Sequence, residues 1–140
     1  MAMKGSVKVL VDTSVWIDYF LRREPAHSRV SKLLTDHRVC TAGLVVAELM
    51  QGARSEKEMS VIRDFVHVFD FLPEGPGSWL AAGELSFKLR RGGKSVGLAD
   101  CYLAVLAKQN GAAILTHDRH FDLMRKEAGI RLMDIGEGEK

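Results

Sequence analysis

A chain of 140 residues suits one ordinary core, so the expectation is a single domain spanning residues 1–140, folded without disulfides or a structural metal. Apolar residues at 46% and charged residues at 27% exclude a disordered or fibrous chain. Twenty basic against 18 acidic residues exclude nucleic-acid binding through overall charge.

The run "VKVLV" (7–11) is apolar on both parities, which predicts a short strand covered on both faces. Ser14 is placed as the cap of a helix "VWIDYFLR" with a Trp16, Tyr19, Phe20 stripe, and Pro25 opens a second helix, "PAHSRVSKLLTDH". A strand "RVCTA" (38–42) follows, then a helix "LVVAELMQGA" beginning at Thr41 or Gly43 and stopping at Gly52. Ser55 and Glu58 form a capping-box pattern at the start of "SEKEMSVIRDFVHVFDFLP", which turns strand-like near "HVFDFL". The helix "PGSWLAAGELSFKLRRGG" stops at Gly92 and Gly93, and Ser95 leads into "VGLADCYLAVLAKQNG", closed by Gly111. A strand "AAILTHD", a helix "RHFDLMRKEAG" and a strand "IRLMDI" complete the chain.

Helices alternating with short, doubly apolar strands predict an α/β fold with a parallel sheet covered on both sides. Ligands of such sheets gather beyond the carboxyl ends of the strands, where Asp12 and Asp118 fall. No run reaches the roughly 18 apolar residues of a membrane span, and the opening "MAMKGSVKVLVD" lacks the apolar core of a leader. Cys40 and Cys101 sit in apolar segments without a nearby ligand pair. The expectation is two buried thiols in a cytoplasmic protein with no membrane partner.

Four acids interrupt apolar contexts: Asp12 in "VLVDTS", Glu48 in "LVVAELM", Asp100 in "GLADCYLAVLA" and Asp118 in "ILTHDRHF". Each alone has an ordinary explanation as a helix cap, a first-turn acid or a helix-edge side chain. As a set they are harder to dismiss, because right-handed βαβ winding can bring all four to one rim. Each unscreened pair at ~4 Å would then repel by about 4 kcal/mol at an effective dielectric near 20. A divalent cation removes that cost, and oxygen ligands without a Cys pair or HExxH point to Mg²⁺ or Mn²⁺ rather than zinc. From Asp100, the positions Ala104, Ala107 and Gly111 form a small-residue face that would let this helix lie close to the strands.

At "VLVDTSVWIDYF", "TAGLVVAELMQGAR" and "VGLADCYLAVLAKQNGAAILTHDRHFDLM" the sequence resembles the PIN domain family, and within it the VapC toxins of prokaryotic toxin-antitoxin pairs, over nearly its whole length. The resemblance implies a three-layer α/β/α fold and a metal-dependent ribonuclease site. Carried over by position, Asp12, Glu48, Asp100 and Asp118 match the acidic quartet, Thr13 and Ser14 the hydroxyls beside the first acid, and Thr116 the hydroxyl preceding the last. Where many relatives place a further acid two residues after the last one, this chain has His120; Asp122 substitutes only if the helix start is shifted. The family's chemistry is hydrolysis of RNA by a metal-activated water, without a covalent intermediate. It also implies a VapB-like antitoxin, which seats a helix and an extended tail near the active site, and a homodimer. Alternatives are a PIN-like module that binds RNA or a partner without cutting, and a housekeeping RNA-processing nuclease.

RNA binding needs local positive charge. Candidates are Arg22 and Arg23, the group Arg90, Arg91 and Lys94, and above all Arg119 with His120, beside Asp118. "RRGGKS" lacks the spacing of a phosphate loop, so nucleotide binding is discounted. His117 and His120 are read as capping or solvent-facing and left out of the catalytic set, and the Trp16 stripe is read as core or a protein-binding groove. A phosphoryl-accepting signalling domain would want an acid beside Asp12 and a late lysine, and a haloacid-dehalogenase-like phosphatase an acid at Ser14; both fit poorly.

Overall fold

A computed structural model describes residues 7–36 and 38–135. The first strand, β1 (Lys8–Val11), leads into helices α1 (Thr13–Phe20) and α2 (Ala26–Asp36). Then come β2 (Arg38–Thr41), α3 (Gly43–Gln51), α4 (Glu56–Phe65), a 3₁₀ turn over Val66–Val68 and the two-residue β3 (Asp70–Phe71). The remaining elements are α5 (Pro76–Arg91), α6 (Leu98–Gln109), β4 (Ala112–Leu115), α7 (His120–Leu123), α8 (Arg125–Ala128) and β5 (Arg131–Met133).

All strand pairs are parallel, in the order β3-β2-β1-β4-β5. The chain works outward from β1 to β3, then returns to the far side of β1 for β4 and β5. That reversal parts the loops beyond β1 and β4, the place where such sheets open a crevice. Val11 pairs with Leu115, so the residues that follow each strand, Asp12 and Thr116, emerge side by side.

Val9, Leu10 and Val11 are fully buried and β4 is buried throughout, as strands covered on both faces must be. On one side α1 packs on α2 and α3, and α3 on α4; on the other α5 packs on α6 and α8, and α6 on β4, α7 and α8. Right-handed crossovers set the two groups on opposite faces of the sheet, which gives three layers. Helix α6 is buried on all sides from Cys101 to Ala107, so Ala104 and Ala107 are covered along with their neighbours, while Gly111, the last member of the expected small-residue face, is exposed. Trp16 is buried against Phe65 and Phe69, with ring centroids 5.0 and 5.5 Å away, and belongs to the core. Cys40 and Cys101 are buried, free thiols, and burial pushes both above the ordinary cysteine range.

Local structure departs from the sequence expectation in several places. Ser14 is not the cap of α1: the helix begins at Thr13 with Asp12 in the capping position, and the Ser14 hydroxyl donates instead to Asp12 Oδ2 at 3.0 Å. The Asp12 carbonyl accepts the first helical bonds, from the N–H groups of Val15 and Trp16. The helix expected over "RHFDLMRKEAG" is two short helices divided at Met124, where burial of both Phe121 and Met124 draws the chain inward. Near "HVFDFL" only Asp70 and Phe71 pair as strand, at the exposed edge of the sheet. The expected end of the second helix at His37 lies outside the described residues. Ser55 does cap α4, its Oγ accepting from Glu58 N–H at 3.1 Å.

Candidate active site

The carboxyl ends of β1 and β4 build the centre of the site. Asp12, only 6% exposed, continues the pairing of β1, its N–H donating to the Leu115 carbonyl at 2.9 Å. Two hydroxyls converge on its Oδ2, from Ser14 at 3.0 Å and Thr116 at 2.8 Å. The Thr116 hydroxyl oxygen in turn accepts the Asp118 N–H at 2.9 Å, and Asp118 Oδ1 accepts the His120 N–H at 2.8 Å. These bonds run from the end of β1 through the β4–α7 loop into the first turn of α7. They replace a regular helix cap, because short hydroxyl and carboxylate side chains can satisfy backbone donors locally.

Asp100 enters from the first turn of α6. Ligand-type atoms of Asp100, Asp118 and His120 lie within 4.8 Å of one another, with His120 Nδ1 at 3.4 Å from Asp100 Oδ2 and 3.3 Å from Asp118 Oδ1. The Asp100 carboxyl is pushed up to about 6, first by burial, then by the charges of Asp118 and Asp12. Its hydrogen bond with His120 acts in the opposite direction. A carboxyl raised this way marks a place where negative charge lacks compensation. Carboxylate oxygens with one imidazole and no thiolate make a donor set that fits a hard divalent cation.

Glu48, on α3, stands outside that trio; its Oε1 accepts the Thr13 hydroxyl at 2.6 Å. Thr13 and Ser14 thus serve different acids, Glu48 and Asp12, although they are neighbours on one helix. Asp122 is exposed on α7 and His120 is the residue that reaches the acids, so the helix start is not shifted. Arg119 is exposed and pairs with no carboxylate among the described residues. With Arg125, Asp118 and Asp122 it lines a cleft of about 650 Å³.

Three of the other basic candidates are engaged elsewhere: Arg23 Nη1 lies 3.4 Å from Asp18 Oδ1, Lys94 Nζ 2.9 Å from Glu127 Oε2, and Arg91 sits over the Phe87 ring. His117 is exposed, as expected, and its Nε2 in addition lies 2.9 Å from Asp18 Oδ2. Sequence reasoning passed over Asp18 because nothing in "VWIDYF" separates it from a solvated helix acid. Its only signal was the spacing of four from Ser14.

Comparison with known proteins identifies the family. The chain is 28% identical over 133 residues to a tRNA(fMet)-specific endonuclease VapC of Shigella flexneri, covering 91% of this chain and 98% of the relative. It is 28% identical over 128 residues to ribonuclease VapC11 of Mycobacterium tuberculosis, covering 88% and 96%. Among solved structures, DNA-bound VapBC from Salmonella typhimurium superposes with a TM-score of 0.74 at 25% identity, covering 93% of this chain and 99% of that one. Over residues 9–127 the sequence matches the model of the PIN domain, and the chain belongs to the PIN domain family.

Proposed function

We propose that this protein is a divalent-metal-dependent endoribonuclease, the toxin of a type II toxin-antitoxin pair acting in the cytoplasm, with residues 1–140 forming one PIN domain. One observation carries the reading: Asp100, Asp118 and His120 converge within 4.8 Å at the carboxyl end of a parallel sheet, beside the buried Asp12. A single hydrophobic cluster joining both helical layers through the sheet supports one domain. Among the described residues no helix is long and apolar enough to cross a membrane.

Asp12, Asp100 and Asp118 would hold Mg²⁺ or Mn²⁺, with Glu48 direct or through water. The cation supplies a water acidified toward neutrality and positive charge against the scissile phosphate. The chain's part is to hold the donors still. Thr116 and Ser14 fix the Asp12 carboxylate through Oδ2, and Thr13 fixes Glu48. Any of these carboxylates not occupied by the cation can take the proton that leaves the attacking water. Arg119, exposed on the rim and without a carboxylate partner among the described residues, would receive an RNA phosphate. Large apolar side chains exposed on α5, Trp79, Leu80 and Phe87, supply surface for a homodimer, and Ile17, Leu21 and Val61 on α1, its end and α4 supply surface for a VapB-like antitoxin.

The test is cleavage of total RNA in Mg²⁺ or Mn²⁺ against EDTA. Cleavage with metal and none in EDTA is expected; cleavage indifferent to EDTA, or none under either condition, overturns the reading. Thr13→Val frees Glu48 from its tether, and loss of such a supporting bond lowers activity or metal affinity by about 10- to 100-fold. Metal-dependent cleavage rates for that variant, with unchanged circular dichroism, check it.

A further inference from the structure

Asp18 contributes to none of the bonds around the four acids, yet it is well placed to govern one of them. On α1, Ser14 and Asp18 are four residues apart and share a face of the helix. Both hold His117. The His117 N–H donates to Ser14 Oγ at 3.3 Å, and His117 Nε2 lies 2.9 Å from Asp18 Oδ2. The Asp18 side chain is 25% exposed, and its other oxygen faces Arg23 Nη1 at 3.4 Å. His117 sits in the β4–α7 loop and is followed directly by Asp118, so α1 grips the loop by main chain and by side chain at the residue next to an acid of the site.

We propose that Asp18 is a positioning residue: by holding the His117 ring against α1 it sets the direction in which Asp118 presents its carboxylate to a divalent cation. The proposal rests on the reading of Asp118 as a metal ligand. The physical need is plain. Asp118 is carried by a loop rather than by a strand or a long helix: its backbone bonds and Oδ1 meet Thr116, His120 and Phe121 inside the same turn, and its carboxyl otherwise faces Asp100, another acid of the site. The grip on His117 ties that turn to the scaffold from outside. A partly exposed side-chain contact of this kind contributes little to global stability, commonly about 1 kcal/mol or less, so its effect is local. Partners that orient a ligand from behind commonly change metal affinity by about 10- to 100-fold when removed.

The experiment titrates Mn²⁺ directly into the full chain by electron paramagnetic resonance and follows amide hydrogen exchange at residues 116–119 in EDTA. Asp18→Ala is expected to weaken Mn²⁺ binding about tenfold and to speed exchange of the His117 and Asp118 amides. Asp18→Asn, which keeps an acceptor oxygen, recovers most of the loss, and Arg23→Ala binds like wild type. His117→Ala matches Asp18→Ala, and the double variant is no weaker than either, as expected for two halves of one contact. Asp18→Ala that lowers only the melting temperature, with wild-type Mn²⁺ affinity, overturns the proposal, and so does a double variant with additive losses. A wild-type chain that binds no Mn²⁺ overturns the metal-site reading and this inference with it, whereas full binding retained in Asp18→Ala overturns this inference alone.

Discussion

Asp100→Asn is expected to abolish RNA cleavage while making the metal-free protein more stable. Asp100 carries the charge the site tolerates least: it is half-buried, faces Asp118 and Asp12, and is pushed up to about 6. Replacing it with a neutral amide of the same shape removes that repulsion. The metal-free variant should gain on the order of 1 to 3 kcal/mol at neutral pH, since each unit of pKa displacement corresponds to about 1.4 kcal/mol. Catalysis goes the other way. A metal's contribution to the transition state is several kcal/mol, so loss of a ligand costs about 10³-fold or more in rate. Single-turnover cleavage and thermal melts in EDTA measure the two effects together. Metal-stimulated cleavage that persists in the variant sinks the role of Asp100, and a lower melting temperature in EDTA sinks the account of its charge. Such opposed effects are expected where a functional site stores unfavourable charge.

The same carboxyl makes stability depend on pH and metal together. Its folded value of about 6 lies above its ordinary value near 4, so the folded state holds a proton that the unfolded chain gives up. Stability from the neutral form is therefore fully present below pH ~4 and is lost as pH rises through about 6. From pH 4 to 7 in EDTA, wild type should lose up to about 3 kcal/mol relative to Asp100→Asn. Comparing the two proteins cancels the exposed carboxylates Glu24 and Glu127, which hydrogen bonds hold below their ordinary range and which titrate the opposite way. Saturating Mg²⁺ should reverse the trend above pH 6, because a ligand at about 100 times its Kd adds about 2.7 kcal/mol to the state that binds it. Urea unfolding of both proteins at several pH values, with Mg²⁺ and with EDTA, decides it. A difference between them that stays flat from pH 4 to 7 removes Asp100 as the cause.

Much of the fold was legible because short-range rules and long-range needs agree here. "VKVLV" and "AAIL" lack a polar face, and only strands covered on both sides suit that pattern. The near-continuous apolar run "CYLAVLA" likewise matched a helix covered on all sides, whereas the small-residue spacing from Asp100 did not single out one face. Legibility failed where two local partners compete. Ser14 was an apt cap by residue type, but its hydroxyl is taken by the Asp12 carboxylate and the His117 N–H instead. The division of the last helix at Met124 depends on where the core can accept Phe121 and Met124, which no propensity encodes.

For the site, the sequence by itself determined which acids stand in apolar surroundings, and the alternation of elements placed Asp12 and Asp118 at strand ends. The tertiary structure alone decided how they meet. Register between β1 and β4 sets Thr116 beside Asp12, α6 delivers Asp100, and the tight turn into α7 swings His120, rather than Asp122, onto the acids. It also separated Glu48 onto the Thr13 hydroxyl and joined Asp18 to His117. The physical reason is range: burial pattern and helix spacing are properties of a few neighbouring residues, whereas the charge around Asp100 sums over groups from three elements that only the folded sheet brings within a few ångströms.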